Sequence, residues 1–288
     1  MSEQPEIRFE KWTALGNDYL IIEEEPLPWG LTPPRIRRIC EPHFGIGSDG
    51  VLLLSKSDDP GMVARLRIFN PDGSEAELSG NGAREAVLYL RRSGWTDAEK
   101  FTIETAAGPI TPTITSERTC ILEMGRASTT SKDFPSGGED GRGEVESGGR
   151  TWAFRHVSIG NPQCAIEVPA DDVDLGALDL PALGPAIEND EQFPNRTNIS
   201  FFRVDGSDVR ARIFERGVGE TLSSGTGASG AAVAAFLGGA PSPLTVELDG
   251  GELEVEVSDD LDVRLTGWAE PICSGELSPE LVRALGEL

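Results

Sequence analysis

The sequence predicts an α+β fold of two pseudo-symmetric lobes, made by an internal duplication, with a ligand cleft between the lobes. Three observations lead there. Stretches of apolar–polar alternation outnumber stretches with helical periodicity, and the long βαβ alternation of a parallel sheet is missing. Residues 67–86, RIFNPDGSEAELSGNGAREA, and 212–231, RIFERGVGETLSSGTGASGA, match at nine of twenty positions at a constant offset of 145. An earlier echo sets Gly16-Asn17-Asp18 against Gly160-Asn161-Pro162 at an offset of 144. Two copies in one chain usually pack about a pseudo-twofold axis, and clefts between lobes are favoured ligand sites.

The elements follow in order. Alternation places strands at 7–14, 19–25, 50–56, 63–70 and 101–107, then near 110–125. Helical spacing of apolar residues places helices at 32–41, which opens on two prolines, and at 81–92, just past Ser79. A second series of strands runs 151–159, 163–168, 197–204, 208–216, 243–248, 252–258 and 261–267. Helices at 174–184, 226–238 and 278–287 complete it. Between the series, residues 127–150 are rich in Gly, Ser and acids and read as a mobile loop or linker. The expected lobes are 1–127 and 128–288, with the last helix, 278–288, packing back on the first.

Composition excludes several function classes. A chain of 288 residues, 38% of them apolar, can bury substantial cores. A formal charge of −24 argues against nucleic acid as a partner, because phosphate binding needs a basic face. No run of 18 apolar residues is present, so no membrane partner is expected. The start MSEQPEIRFE has neither the basic end nor the apolar run of a signal peptide, and a cytoplasmic location is expected. Cys40, Cys120, Cys164 and Cys273 are scattered, and His43 and His156 are the only histidines, so no metal site is expected. Only four lysines occur, and an acidic, lysine-poor surface is typical of salt-adapted proteins.

Each copy of the repeat reads strand, polar loop, Ser-Gly-x-Gly-Ala, helix. Glycines allow close backbone approach, and a helix start offers unpaired N–H groups and a positive dipole end. Together they suit a carboxylate or phosphate. The plainer reading makes Ser79 and Ser224 simple N-caps. Asn70, Asn81, Asn161 and Asn198 lie in loops and offer a donor and an acceptor to a zwitterion, although asparagine also favours turns for local reasons. Arg216, after Glu215 at a strand end, is suited to a carboxylate or to a surface ion pair.

The segments FEKWTALGNDYLII, HFGIGSDGVLLL, RIFNPDGSEAELSGNGAREAVLYL, VSIGNPQCAIEV, FPNRTNISFF and RIFERGVGETLSSGTGASGAAVAA resemble diaminopimelate epimerase, in family order across residues 9–237. That resemblance implies a duplicated two-lobe fold and a cofactor-independent, PLP-independent epimerisation in lysine and peptidoglycan synthesis. One group takes the α-proton from one face and a second returns a proton to the other. It implies substrate contacts at Asn17, Asn70, Asn161, Asn198, Glu215 and Arg216, and backbone donors at Gly80, Asn81, Gly225 and Thr226. The partner implied is a small amino acid, and a homodimer is compatible with it.

The chain departs from the family where the chemistry lies. Ser79 and Ser224 replace the two family cysteines, and Gln163 replaces a histidine. A thiol titrates near about pH 8.5, whereas a serine hydroxyl needs a neighbouring base. Cys164, next to Gln163, should point to the opposite face of its strand. Four readings follow. The serines carry out the epimerisation, with Glu215 in a catalytic role. Carboxylates at Asp49, Glu75, Glu215 or Glu220 run related acid–base chemistry, as in the phenazine-biosynthesis isomerases. The chain binds amino acids without turning them over. Or the serines were introduced to trap a ligand.

Overall fold

A computed structural model describes residues 6–288. The chain forms two compact units: the first runs to Leu122 and takes up the chain again at Trp268–Leu288, and the second is Glu123–Gly267. The first unit contains β1 (Arg8–Ala14), β2 (Asn17–Glu23), α1 (Pro33–Cys40), β3 (Val51–Ser55), β4 (Arg65–Phe69), β5 (Glu75–Ala76), α2 (Gly80–Arg92), β6 (Ile103–Thr105) and β7 (Gly108–Ile110). A hairpin of β8 (Thr113–Ile114) and β9 (Thr119–Arg126) leads out of it. The second unit contains β10 (Arg142–Ser147), β11 (Arg150–Ser158), β12 (Pro162–Glu167), a 3-10 turn at Leu175–Ala177, and α3 (Leu180–Glu188). It continues with β13 (Asn198–Asp205), β14 (Asp208–Glu215), β15 (Gly219–Thr221), α4 (Gly225–Leu237), β16 (Leu244–Leu248), β17 (Gly251–Val257) and β18 (Asp262–Trp268). The chain then returns to the first unit with β19 (Glu270–Glu276) and α5 (Pro279–Gly286).

The duplication is visible in the strand order. The first unit reads β19-β1-β2-β3-β4-β6-β7, with β5 added to β4. The second sheet reads β10-β11-β12-β13-β14-β16-β17-β18-β9-β8, with β15 added to β14. Each sheet has a parallel pair at the same place, β2 with β3 and β12 with β13. Each has the same short hairpin before its helix, with Phe69 opposite Glu75 and Phe214 opposite Glu220. The repeated Arg and Glu brace that hairpin. Arg67 donates to both oxygens of Glu75 at 2.9 and 2.8 Å, and Arg212 pairs with Glu220. The echo at offset 144 also has a backbone cause. Gly16 (φ 82°) and Gly160 (φ 83°) both sit in the left-handed region, which glycine enters without strain.

Apolar faces then close each unit. In the first, Ile7, Leu20, Ile22, Val51, Leu53 and Phe69 pack with Ile36 and Ile39 of α1 and with Val282 and Leu285 of α5. In the second, aromatic rings dominate, with Trp152 and Phe201 centroids 5.1 Å apart and Phe134 and Phe154 at 5.3 Å, all edge-on. Helix α4, GTGASGAAVAAFL, is buried on nearly every side, as an all-apolar helix must be. Its small residues let the sheet approach, and a Cβ on Gly230 would lie 2.8 Å from Cβ of Gln163.

The structure departs from the sequence expectations in places. Residues 127–150 are not a featureless linker: Arg142–Ser147 pairs along its whole length with β11. The helix expected at 174–184 is a 3-10 turn followed by α3 from Leu180, where Asp179 caps the new start by accepting from Ala182 N–H. The short strands β5 and β15 and the edge strand β19 were not expected. Among the described residues no helix is long and apolar enough to cross a membrane.

Candidate active site

Both helix starts are built alike. Ser79 is extended (φ −127°, ψ 124°) and its Oγ accepts from Gly82 N–H at 3.1 Å. Ser224 is extended (φ −149°, ψ 122°) and its Oγ accepts from Gly227 N–H at 3.2 Å. Both serines are therefore N-caps, as the plainer sequence reading held. Gly80 and Asn81, and Gly225 and Thr226, supply the first turns of α2 and α4. Each start is tied to the repeated asparagine of its own unit. Asn81 Nδ2 donates to Asn17 Oδ1 at 3.2 Å, and Asn161 Nδ2 donates to Thr226 Oγ1 at 3.3 Å.

Beyond this shared frame the two hydroxyls differ. In the second unit Ser224 Oγ donates to Glu215 Oε2 at 3.0 Å, and Thr221 Oγ1 donates to Glu215 Oε1 at 2.9 Å. Burial pushes the Glu215 carboxyl up from its ordinary value, against the lowering effect of those two hydrogen bonds. In the first unit the repeat counterpart of Glu215 is Asn70, and it does not perform this task. Its Nδ2 donates to Ser74 Oγ at 2.9 Å, inside its own turn. Ser79 Oγ instead accepts from Tyr19 Oη at 3.4 Å. By the offset of 144, Tyr19 is the repeat counterpart of Gln163. Gln163 Nε2 donates to Asn161 Oδ1 at 2.7 Å and so fixes that amide.

The four candidate carboxylates separate cleanly. Glu75 is tied to Arg67, whose hydrogen bonds hold it below the ordinary range. Glu220 is paired with Arg212. Asp49 accepts from Asn17 Nδ2 at 2.9 Å and from Asp18 N–H at 3.0 Å, and so fixes the Asn17 loop. Only Glu215 among the four bonds a serine of a helix start. The thiols lie elsewhere. Cys164 is wholly buried in the apolar core, where burial pushes it well above its ordinary value, and burial lifts Cys120 to about 12.

Arg216 and Asn161 line a cleft of about 600 Å³ in the second unit, together with Lys132, Asp133, Asn195 and Arg196. Arg196 is paired with Glu188 at 2.8 Å, and Asp133 accepts from Asn195 Nδ2 at 2.7 Å. Among the described residues Lys132 and Arg216 have no ion-pair partner. The cleft thus carries two cations without an ion pair, Lys132 and Arg216, beside the Asp133 carboxylate, and the Arg216 guanidinium is suited to a carboxylate. Asn198 has a different part. Its Nδ2 donates to Pro162 O at 3.0 Å and its Oδ1 accepts from Arg216 N–H at 2.9 Å, so it joins the Asn161 turn to the Arg216 turn.

Sequence reasoning missed Tyr19, Thr221, Lys132 and Arg196. Tyr19 falls opposite Gln163 at the offset of 144, but the two residue types differ, so the echo gave no signal for it. No cluster of metal-ligating side chains occurs among the described residues.

The diaminopimelate epimerase family profile matches residues 9–130 and 155–270. The chain belongs to the diaminopimelate epimerase family. It is 40% identical to diaminopimelate epimerase 2 of Nostoc sp. over 96% of this chain and 97% of that one. It is 38% identical to diaminopimelate epimerase of Pelotomaculum thermopropionicum, over 94% and 98%. Solved structures share the two-lobe fold at lower identity. A hydroxyproline epimerase from Agrobacterium vitis has a TM-score of 0.65 at 16% identity, covering 98% of this chain and 96% of that one. A phenazine biosynthesis protein of the PhzF family from Bacillus anthracis has a TM-score of 0.63 at 20% identity, covering 95% and 99%.

Proposed function

We propose that this protein is a cofactor-independent epimerase of diaminopimelate that moves its protons through Ser79 and Ser224. The observation that carries the reading is the 3.0 Å hydrogen bond from Ser224 Oγ to the half-buried carboxylate of Glu215. A lone serine is a poor base, but a serine whose proton has a carboxylate to go to is an activated one. Burial raises the proton affinity of Glu215, which brings it nearer to its task. In each unit the helix start, at Gly80 and Asn81 in one and at Gly225 and Thr226 in the other, is suited to a carboxylate, where charge builds as the α-proton leaves. Arg216, with Lys132 beside it, would take the distal carboxylate, and Asn17 and Asn161 would orient the ammonium groups. Asn70 is bonded within its own turn, to Ser74 Oγ, and Asn198 acts by positioning. The reading takes the enzyme as cytoplasmic, with an amino acid as partner, no nucleic acid or membrane, and a homodimer as the assembly to be checked by light scattering.

The test is uptake of solvent deuterium at the α-carbon of diaminopimelate. Exchange is expected with the unaltered protein and should be lost in Ser224→Ala. Calorimetric binding of diaminopimelate with no exchange at any enzyme concentration would reduce the protein to a binder. A second reading, direct proton transfer by the carboxylate, is favoured by the raised Glu215. It predicts that Ser224→Ala still exchanges while Glu215→Gln does not.

A further inference from the structure

The two serines are wired in opposite senses. A hydroxyl has one proton to give and two lone pairs that accept. Ser79 Oγ already accepts twice, from Gly82 N–H at 3.1 Å and from Tyr19 O–H at 3.4 Å. What it has left is its proton. Ser224 Oγ gives its proton to Glu215 at 3.0 Å and accepts once, from Gly227 N–H at 3.2 Å. What it has left is a lone pair. The Tyr19 ring is held in place for this: Tyr19 is 6% exposed, and a Cβ on Gly50 would lie 2.7 Å from its Cε1.

We infer that Tyr19 is the proton donor behind Ser79, so that Ser79 works as the acid of the pair and Ser224 as the base. The inference rests on the proposed epimerisation and adds to it a residue and a direction. Ser224 Oγ takes the α-proton as its own proton passes to Glu215 Oε2. The electron pair of the broken C–H bond stays on the substrate carbon. Ser79 delivers its proton to the other face of that carbon, and Tyr19 restores the Ser79 proton. Glu215 ends as the acid and Tyr19 as the phenolate, and solvent returns both to the starting state. A phenol loses its proton near pH 10, far more readily than an aliphatic alcohol, so the relay avoids leaving the charge on serine. The repeat explains why sequence identity hides this. The first copy recruits the counterpart of Gln163 and the second recruits the counterpart of Asn70, so identical hydroxyls acquire unlike partners.

The test is Tyr19→Phe in the unaltered protein and in the Ser79→Cys variant, read by deuterium exchange and by diaminopimelate calorimetry. A thiol is acidic enough to donate without help. In the unaltered background kcat should fall by about 10²-fold or more with KM and binding little changed. In the Ser79→Cys background the same change should matter less than about tenfold, because the donor no longer needs a relay. Equal losses in the two backgrounds, or no loss in either, would overturn the role of Tyr19 and leave the proposed function standing. Absence of exchange in the unaltered protein and in Ser79→Cys alike would sink the proposed function, and this inference with it.

Discussion

Glu215 is the residue on which the proposed chemistry of the second unit turns. Removing its charge while keeping its shape separates two effects of one burial. In Glu215→Gln, exchange should fall by about 10²–10⁴-fold, the usual contribution of a positioned acid–base group. Its carboxyl is raised above the ordinary 4.5, chiefly by burial. The acid limb of the rate should therefore lie above the usual carboxylate range, because the ionised form is the acceptor. For stability the sign is opposite. A raised carboxyl favours the folded state below the unfolded pKa, and that contribution is lost as pH rises through the folded pKa. Glu215→Gln has no such loss. Its urea midpoint should gain on the parent's as pH is raised from 4.5 toward neutrality, even as activity disappears. A midpoint difference independent of pH would refute the assignment of a raised pKa.

At the scale of the element, helix α4 shows how packing overrides propensity. Alanine is the better helix former by about 1 kcal/mol, so Gly230→Ala would stabilise an exposed helix. Here the new methyl would sit 2.8 Å from Cβ of Gln163 in a filled core. Overpacking of this kind costs about 1–3 kcal/mol, so a lower thermal midpoint is expected, together with a displaced Gln163–Asn161 bond and weaker diaminopimelate binding. Helices α2 and α4 were legible in the sequence almost to the residue, because the SGNG and SGTG caps mark where the chain turns. Strand β10 was not. Its acidic, Gly-bordered residues imitate a linker, and only pairing with β11 makes it a strand. Strands β5 and β15, two and three residues long, are too short to show a period of two. The serines, asparagines and Glu215 were readable from the motif, whereas Tyr19 looked like one more apolar residue of β2. Its proposed task depends on a contact to a residue sixty positions away.

The whole molecule carries −24 charges, with arginine as nearly all of its positive side. Many of those arginines are tied locally, as in Arg67–Glu75, Arg150–Asp172 and Arg210–Asp249, but the excess of acids remains. Screening that excess should raise the thermal midpoint between 0.05 and 1 M salt, by about 2–4 °C for each 1 kcal/mol of repulsion relieved. A midpoint that falls with salt would mean that local pairs outweigh net repulsion. One consequence follows from the burial of α4. Amide hydrogens leave a protein by local opening, and segments walled in by sheet on most sides open only when the whole fold does. The thirteen residues after Ser224 should be among the last to take up label from heavy water. The oxygen proposed to handle the fastest proton in the molecule would then be anchored to its slowest-breathing segment.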